Sequence, residues 1–209
     1  MFWWLAITAI IAAALAYGYW DHTSQSRHLT KLFSHFAEKY GGEVKRANFL
    51  ALPQLRFELD GRSFFVTAMA TSGHVVAGSS GYSGPFTLVD LELPFDTSQK
   101  VRVERSDANL TSGVNRFIDS ITPGRRPATG HMEFDEAFRI EWSDQSFASR
   151  LLDLRVRQKL LNSRLPHLDV RVDGQKISVH FDGIAQSKPD LDEMIDIAVL
   201  LADHCPKSF

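Results

Sequence analysis

The sequence predicts an α+β fold behind a single amino-terminal transmembrane helix, on three observations. Residues 2–20 carry no charge, two stretches alternate apolar and polar residues about an Asp-Gly pair, and further stretches repeat apolar residues at helical spacing. The expected organisation is a transmembrane anchor over residues 1–21, an amphipathic stalk or packing helix over 22–42, and a soluble α+β domain of antiparallel hairpins and about three helices over 43–209. The chain of 209 residues has material for one ordinary domain after its first segment. That is enough to bury a core without disulfides or metals.

The run from Phe2 to Trp20 is apolar and closes on Tyr17, Tyr19 and Trp20. About 19 helical residues rise roughly 28 Å, close to the hydrocarbon thickness of a bilayer. Trp3 and Trp4 at one end and Tyr17, Tyr19 and Trp20 at the other suit the two membrane interfaces. Ala14-Leu15-Ala16 resembles a signal-peptidase site, but Met1-Phe2-Trp3-Trp4 lacks the basic region that opens a signal peptide, so a retained span is preferred. Arg27, Lys31 and Lys39 follow the run and no Lys or Arg precedes it. The positive-inside rule then predicts a single-pass inner-membrane protein with its N-terminus outside and its domain cytoplasmic.

Past the anchor, Leu29, Leu32, Phe33, Phe36 and Tyr40 recur at helical spacing over residues 24–40, and Gly41-Gly42 stops the helix. Leu55, Phe57 and Leu59 alternate with Arg56, Glu58 and Asp60. Asp60-Gly61 then predicts a two-residue turn that sets Leu59 against Arg62, Phe57 against Phe64 and Leu55 against Val66. Strands are expected over 86–93 and 101–105, with the Gly/Ser-rich stretch 72–85 before them. Met132, Phe134, Phe138, Ile140 and Trp142 read as a strand, with Glu136 interrupting its apolar face. Asp144 caps one long helix expected to run to about Leu165, with Phe147, Leu151, Leu154 and Leu161 on its buried stripe. A second hairpin over 168–182 turns at Asp173-Gly174 and sets Val170 against Ile177. Ser187-Lys188-Pro189-Asp190 opens a last helix whose core face holds Leu191, Met194, Ile195 and Ala198.

The chemistry-bearing residues form no motif with the spacing that a reaction needs. The stretch Gly78-Ser79-Ser80-Gly81-Tyr82-Ser83-Gly84 lacks the lysine and following helix of a phosphate loop, and the Gly-x-Ser-x-Gly spacing of a hydrolase elbow. His131, Glu133 and Asp135 would share one face of a strand, which is also where the polar residues of a half-buried strand belong. No metal site and no cofactor is expected. Glu136, pointed into an apolar face, would have its pKa raised and could act as an acid or base, unless a bulge turns it outward. Arg150, Arg157 and Arg164 fall at heptad spacing on the predicted helix, with Asp153 placed to pair with the first two, and Arg125 and Arg126 add a basic loop. These five arginines are the candidate interaction residues, whether for a protein or for anionic headgroups. A formal net charge of −2 points away from nucleic acid, and the single Cys205 excludes an internal disulfide partner.

The stretch Gly130-His131-Met132-Glu133-Phe134-Asp135-Glu136-Ala137-Phe138, with the Leu-rich helix, hairpin and last helix behind it, resembles bacterial single-span membrane-anchored proteins of unknown function. The resemblance covers about the last 80 residues and implies an architecture only, with no catalytic residues. An anchor, a full-sized domain and no catalytic constellation together predict a non-catalytic accessory or interaction subunit. It would sit in a larger integral-membrane complex, respiratory or photosynthetic for example, in contact with the lipid bilayer. Two other readings stand beside it: a membrane-tethered enzyme or ligand sensor with a pocket near Glu136 and His131, and an anionic-lipid surface binder.

Overall fold

In the computed structural model, residues 2–45, 52–69, 85–106 and 129–206 are described. The described residues form one antiparallel sheet of eight strands with helices on one of its faces. The strands are β1 (Glu43–Lys45), β2 (Gln54–Leu59), β3 (Arg62–Met69), β4 (Phe86–Glu92), β5 (Lys100–Arg105), β6 (Phe138–Trp142), β7 (Asp169–Asp173) and β8 (Lys176–Asp182). Their order across the sheet is β1-β2-β3-β4-β8-β7-β5-β6, so the β7–β8 hairpin is inserted between β4 and β5. The helices are α1 (Phe2–Tyr40), α2 (Met132–Ala137), α3 (Gln145–Leu151), α4 (Leu154–Leu161) and α5 (Lys188–His204).

Alternation decides which face of the sheet is covered. Leu55, Phe57, Phe64, Val66, Val89, Leu91, Val101, Val103, Val170, Val172, Ile177 and Val179 are all buried and join one hydrophobic cluster with the helices. The carboxyl-terminal part of α1 enters that cluster through Leu29, Leu32, Phe33 and Phe36. Tyr40 then stacks on Phe57 at 4.9 Å and Phe57 on Phe64 at 4.8 Å, so an aromatic ladder ties the end of α1 to β2 and β3. Ion pairs from Lys39 to Asp192 at 3.0 Å and from Arg62 to Asp203 at 2.7 Å link α1 and β3 to α5 at the surface.

The Asp60-Gly61 turn and its register are those the sequence predicts, Leu59 against Arg62 through Leu55 against Val66. Both turn residues take positive φ, which Asp tolerates and Gly favours. The second hairpin differs by one step. Asp173 pairs with Lys176 and Val172 with Ile177, so the loop is Gly174-Gln175, of which only Gly174 has positive φ. Val170 thus meets Val179 rather than Ile177, and because the partner changes by two residues, an even number, the apolar residues stay on one face. The last helix opens as expected, with Ser187 and Asp190 forming a reciprocal capping box and a proline in the first turn.

Three expectations are corrected. Among the described residues, no helix is long and apolar enough to cross a membrane. This overturns the transmembrane helix, and with it the single-pass inner-membrane placement with a cytoplasmic domain. Residues 2–20 dilute five large aliphatics (Leu5, Ile7, Ile10, Ile11 and Leu15) with six alanines, Thr8, Gly18 and amphipathic Trp and Tyr. That segment is the first half of α1, an unbroken 39-residue helix. Second, Met132–Ala137 is helical and only Phe138–Trp142 is strand. Third, the single long helix from Asp144 is two short ones. Asp144 accepts from the Phe147 N–H and caps α3, while Asp153 accepts from the Val156 N–H and caps α4. An N-cap residue leaves helical geometry, so Asp153 breaks the run.

Candidate functional site

The sheet face away from the helices holds the main concentration of buried charge among the described residues. Neighbouring strands place Glu104, Asp169 and His180 in one cross-strand row and Arg102, Arg171 and Ser178 in the next. Asp169 has no exposed side-chain surface, and two arginines close on it. Arg171 donates through its Nη2 at 2.6 Å and its Nε at 3.1 Å, and Arg102 through its Nη2 at 3.0 Å. Arg102 also pairs with Glu104 at 3.1 Å. Burial alone would raise the Asp169 pKa, but the two guanidinium groups outweigh it and hold the carboxyl below its ordinary value. The same row ends on β4, where Ser178 donates to Asp90 at 2.6 Å and Lys176 pairs with Asp90 at 2.7 Å.

His180 and Asp182 lead from this cluster to the sheet's end. The His180 imidazole stands edge-on to Phe86 at 5.3 Å, and burial lowers its pKa to about 4 against the pull of Asp169. It therefore stays neutral at ordinary pH. The Asp182 carboxylate lies 3.9 Å from both His180 Nε2 and His167 Nδ1, and burial raises its pKa to about 6. Beyond Asp182 a cleft of about 360 Å3 opens between the α4–β7 and β8–α5 connections, lined by Arg164, Leu165, Phe181, Asp182 and Ile184 among others.

The residues singled out from sequence scatter over the molecule. Trp3, Tyr17, Tyr19 and Trp20 are exposed on α1, and the side chain of Trp4 lies outside the described residues, as do Arg125, Arg126 and the Gly/Ser stretch 78–84. Arg150 is exposed and donates back to the Ser146 carbonyl. Arg157 donates to the Asp153 carbonyl and to Thr129 Oγ1. Asp153 is not the expected partner of Arg150 and Arg157, because its carboxylate caps α4 and meets His204 Nε2 at 3.2 Å. Arg164 lies beyond the end of α4 and lines the cleft, so the three arginines do not form one helix face.

Glu136 is exposed, because α2 rather than a bulge turns it away from the apolar face. Asp135 is spent in bracing the start of α2, accepting from Thr129 Oγ1 at 2.7 Å and from the Thr129 and Gly130 N–H groups. Neither Glu136 nor His131 lines the cleft. Cys205 is buried and free, with its thiol pushed up to about 11 by that burial.

What this architecture defines is a single antiparallel sheet, helices on one face and a charged cross-strand array on the other. No family model matches the sequence, and no curated protein matches it. The fold does recur among solved structures. The mycobacterial trehalose monomycolate transport factor A, TtfA, superposes with a TM-score of 0.57 over 88% of this chain and 98% of its own, at 11% sequence identity. At that identity the likeness is one of fold.

Proposed function

We propose that this chain is a non-catalytic accessory subunit of membrane-associated machinery, and that it engages that machinery through the amino-terminal half of α1. The observation that carries the reading is the surface of that half-helix. Trp3, Ile7, Ile10, Ile11, Tyr17, Tyr19 and Trp20 are all exposed, and no described side chain before Leu29 is buried. Exposed apolar residues in that number on one element mark an interaction surface. Aromatic anchors of this kind dominate the energetics of protein interfaces. Because α1 runs unbroken into the core at Leu29, whatever binds the half-helix is coupled rigidly to the domain.

The shared fold lends support from a second direction. TtfA is a trehalose monomycolate transport factor, and a domain of the same fold suits a role beside transport machinery. The absence of a sequence motif for catalysis fits the same role.

Affinity purification of the full chain in mild detergent, with mass spectrometry of what accompanies it, tests the reading. A stoichiometric partner from membrane machinery is expected. It should be lost when Trp3, Ile10, Tyr17 and Trp20 are changed to Ser, with the domain still folded by circular dichroism. A monomeric, partnerless chain would overturn the proposal.

A further inference from the structure

The cleft beyond β8 brings two opposite charges to one apolar floor, a half-buried carboxylate on Asp182 and an exposed guanidinium on Arg164. Leu165, Phe181 and Ile184 are buried and form the floor, and Arg164 and Asp182 stand on its lip. Asp182 makes no side-chain hydrogen bond among the described residues, and the two imidazoles stand 3.9 Å from its carboxylate. The Arg164 guanidinium has no ion-pair or hydrogen-bond partner among the described residues, although its backbone N–H donates to Glu193 Oε1 at 3.1 Å. Asp190, on the same rim, is occupied by the Gln186 and Ser187 N–H groups of the capping box.

The lip is also held in place. The Asp182 N–H donates to the Pro166 carbonyl and the Gly183 N–H to the Pro85 carbonyl. Thr87 Oγ1 donates to the Gly183 carbonyl and accepts from the Ala185 N–H. Gly183 has φ of +110°, a backbone that only glycine adopts without strain, and this turns the chain sharply just past Asp182. A half-buried carboxylate lacking donors loses the solvation that its charge needs. Such a group is satisfied by a proton or by a donor brought from outside. An exposed guanidinium on the rim of the same cleft is free to pair with an oxyanion.

We propose that this cleft binds a small zwitterion with an apolar side group, an α-amino acid of the leucine or phenylalanine kind. The ammonium is placed on Asp182, the carboxylate on Arg164 and the side chain on Phe181, Ile184 and Leu165. The volume, about 360 Å3, is at the small end of ligand sites and suits a molecule of that size. Asp182 is faced by His167 and His180, with the Glu104 and Asp169 carboxylates acting from the sheet, and its pKa of about 6 predicts the pH behaviour. The ammonium is held when Asp182 is ionised, so affinity is full above about pH 7 and about half of that at pH 6. It falls about tenfold by pH 5, where roughly one carboxyl in ten remains ionised.

The test is a titration of the full chain at pH 7.5, followed by backbone-amide NMR and calorimetry. Leucine is the zwitterion, leucinamide carries the cation alone and 4-methylpentanoate the anion alone. Leucine is expected to shift the amides of Phe181 to Ile184 and to bind more tightly than either half-ligand. Asp182→Asn should weaken leucine and leucinamide about tenfold and leave 4-methylpentanoate unchanged; Arg164→Gln should do the reverse for the two half-ligands. The comparison of three ligands on the unaltered chain stands even if a variant misfolds. No shift with leucine or phenylalanine at about 20 mM overturns the proposal. So does leucine binding no tighter than both half-ligands.

Discussion

Replacing Asp169 with Asn removes the charge that two guanidinium groups converge on and leaves the shape almost unchanged. Asp169 is fully buried and takes hydrogen bonds from Arg171 and Arg102. Breaking a buried ion pair by neutralising one partner costs about 3–5 kcal/mol, mostly because the other charge stays behind unpaired. Arg102 keeps its contact with Glu104 at 3.1 Å, and both arginines retain some solvent exposure, which places the expected loss near the lower end, at about 3 kcal/mol. For a chain of this length each kcal/mol moves the midpoint of thermal unfolding by about 2–4 °C, so a fall of about 6–12 °C is expected. Urea denaturation at pH 7 would give the free energy directly.

The pH dependence supplies an independent reading of the same site. The folded pKa of Asp169 lies below the unfolded value, so its contribution is fully present above pH ~4. That contribution is lost as the pH falls through the folded pKa, and the gap between the two proteins should close in acid. Replacing the group as a unit, with Asp169→Leu, Arg102→Met and Arg171→Met together, should cost far less than the single change. A single variant that loses under about 1 kcal/mol at pH 7 would refute the argument, since the arginines would then be solvated well enough to need no partner.

His180 has a folded pKa of about 4 against an ordinary 6.5, so it stabilises the fold fully above pH 6.5 and that stability drains away as the pH falls towards 4. His180→Gln should flatten the stability profile across that window in urea titrations. Asp182 has the opposite sign, its pKa being raised to about 6. Asp182→Asn should therefore raise stability at pH 7.5 and change little at pH 4. Gly42→Ala would drive a methyl group into the Arg56 carbonyl and to 2.6 Å from Phe57 Cβ, where neither backbone can yield cheaply. A loss of about 2 kcal/mol or more is expected, with α1 loosened from β2 in hydrogen-exchange measurements. Ser187→Ala removes one half of the capping box and should cost about 1 kcal/mol by the same urea assay.

Local signals in the sequence carried well where one short-range rule decides the geometry. Asp60-Gly61 set the β2–β3 register because both residues accept positive φ and the flanking alternation leaves one pairing with all apolar residues inside. Ser187 and Asp190 marked the start of α5 because a capping box is complete within four residues. The misread segments are those where two rules share one pattern. Phe134 and Phe138 are four apart, a spacing that fits both a strand of period two and a helix of period 3.6. The structure uses the second, stacking the rings at 4.8 Å across the α2–β6 junction. Asp153 fits equally a helical ion-pair partner and an N-cap, and its capping of α4 splits what reads as one helix.

The charged cluster and the cleft were illegible for a different reason. Arg102, Asp169, Arg171 and His180 come from three strands, and their meeting depends on β7 lying between β8 and β5 in the sheet. Each of them is, in its own strand, an ordinary polar residue on the alternate face. An Asp at the start of a strand and between apolar neighbours, as Asp169 is between Leu168 and Val170, was the one sign available, and it says only that a partner is needed. Arg164 was singled out for a helical face that does not exist, and the break at Asp153 together with the end of α4 delivers it to the cleft instead. The meeting of these charges is therefore a property of strand order. A variant that shifts the β7–β8 hairpin by one residue would disperse Asp169, His180 and Asp182 to the opposite face while leaving every local signal in place.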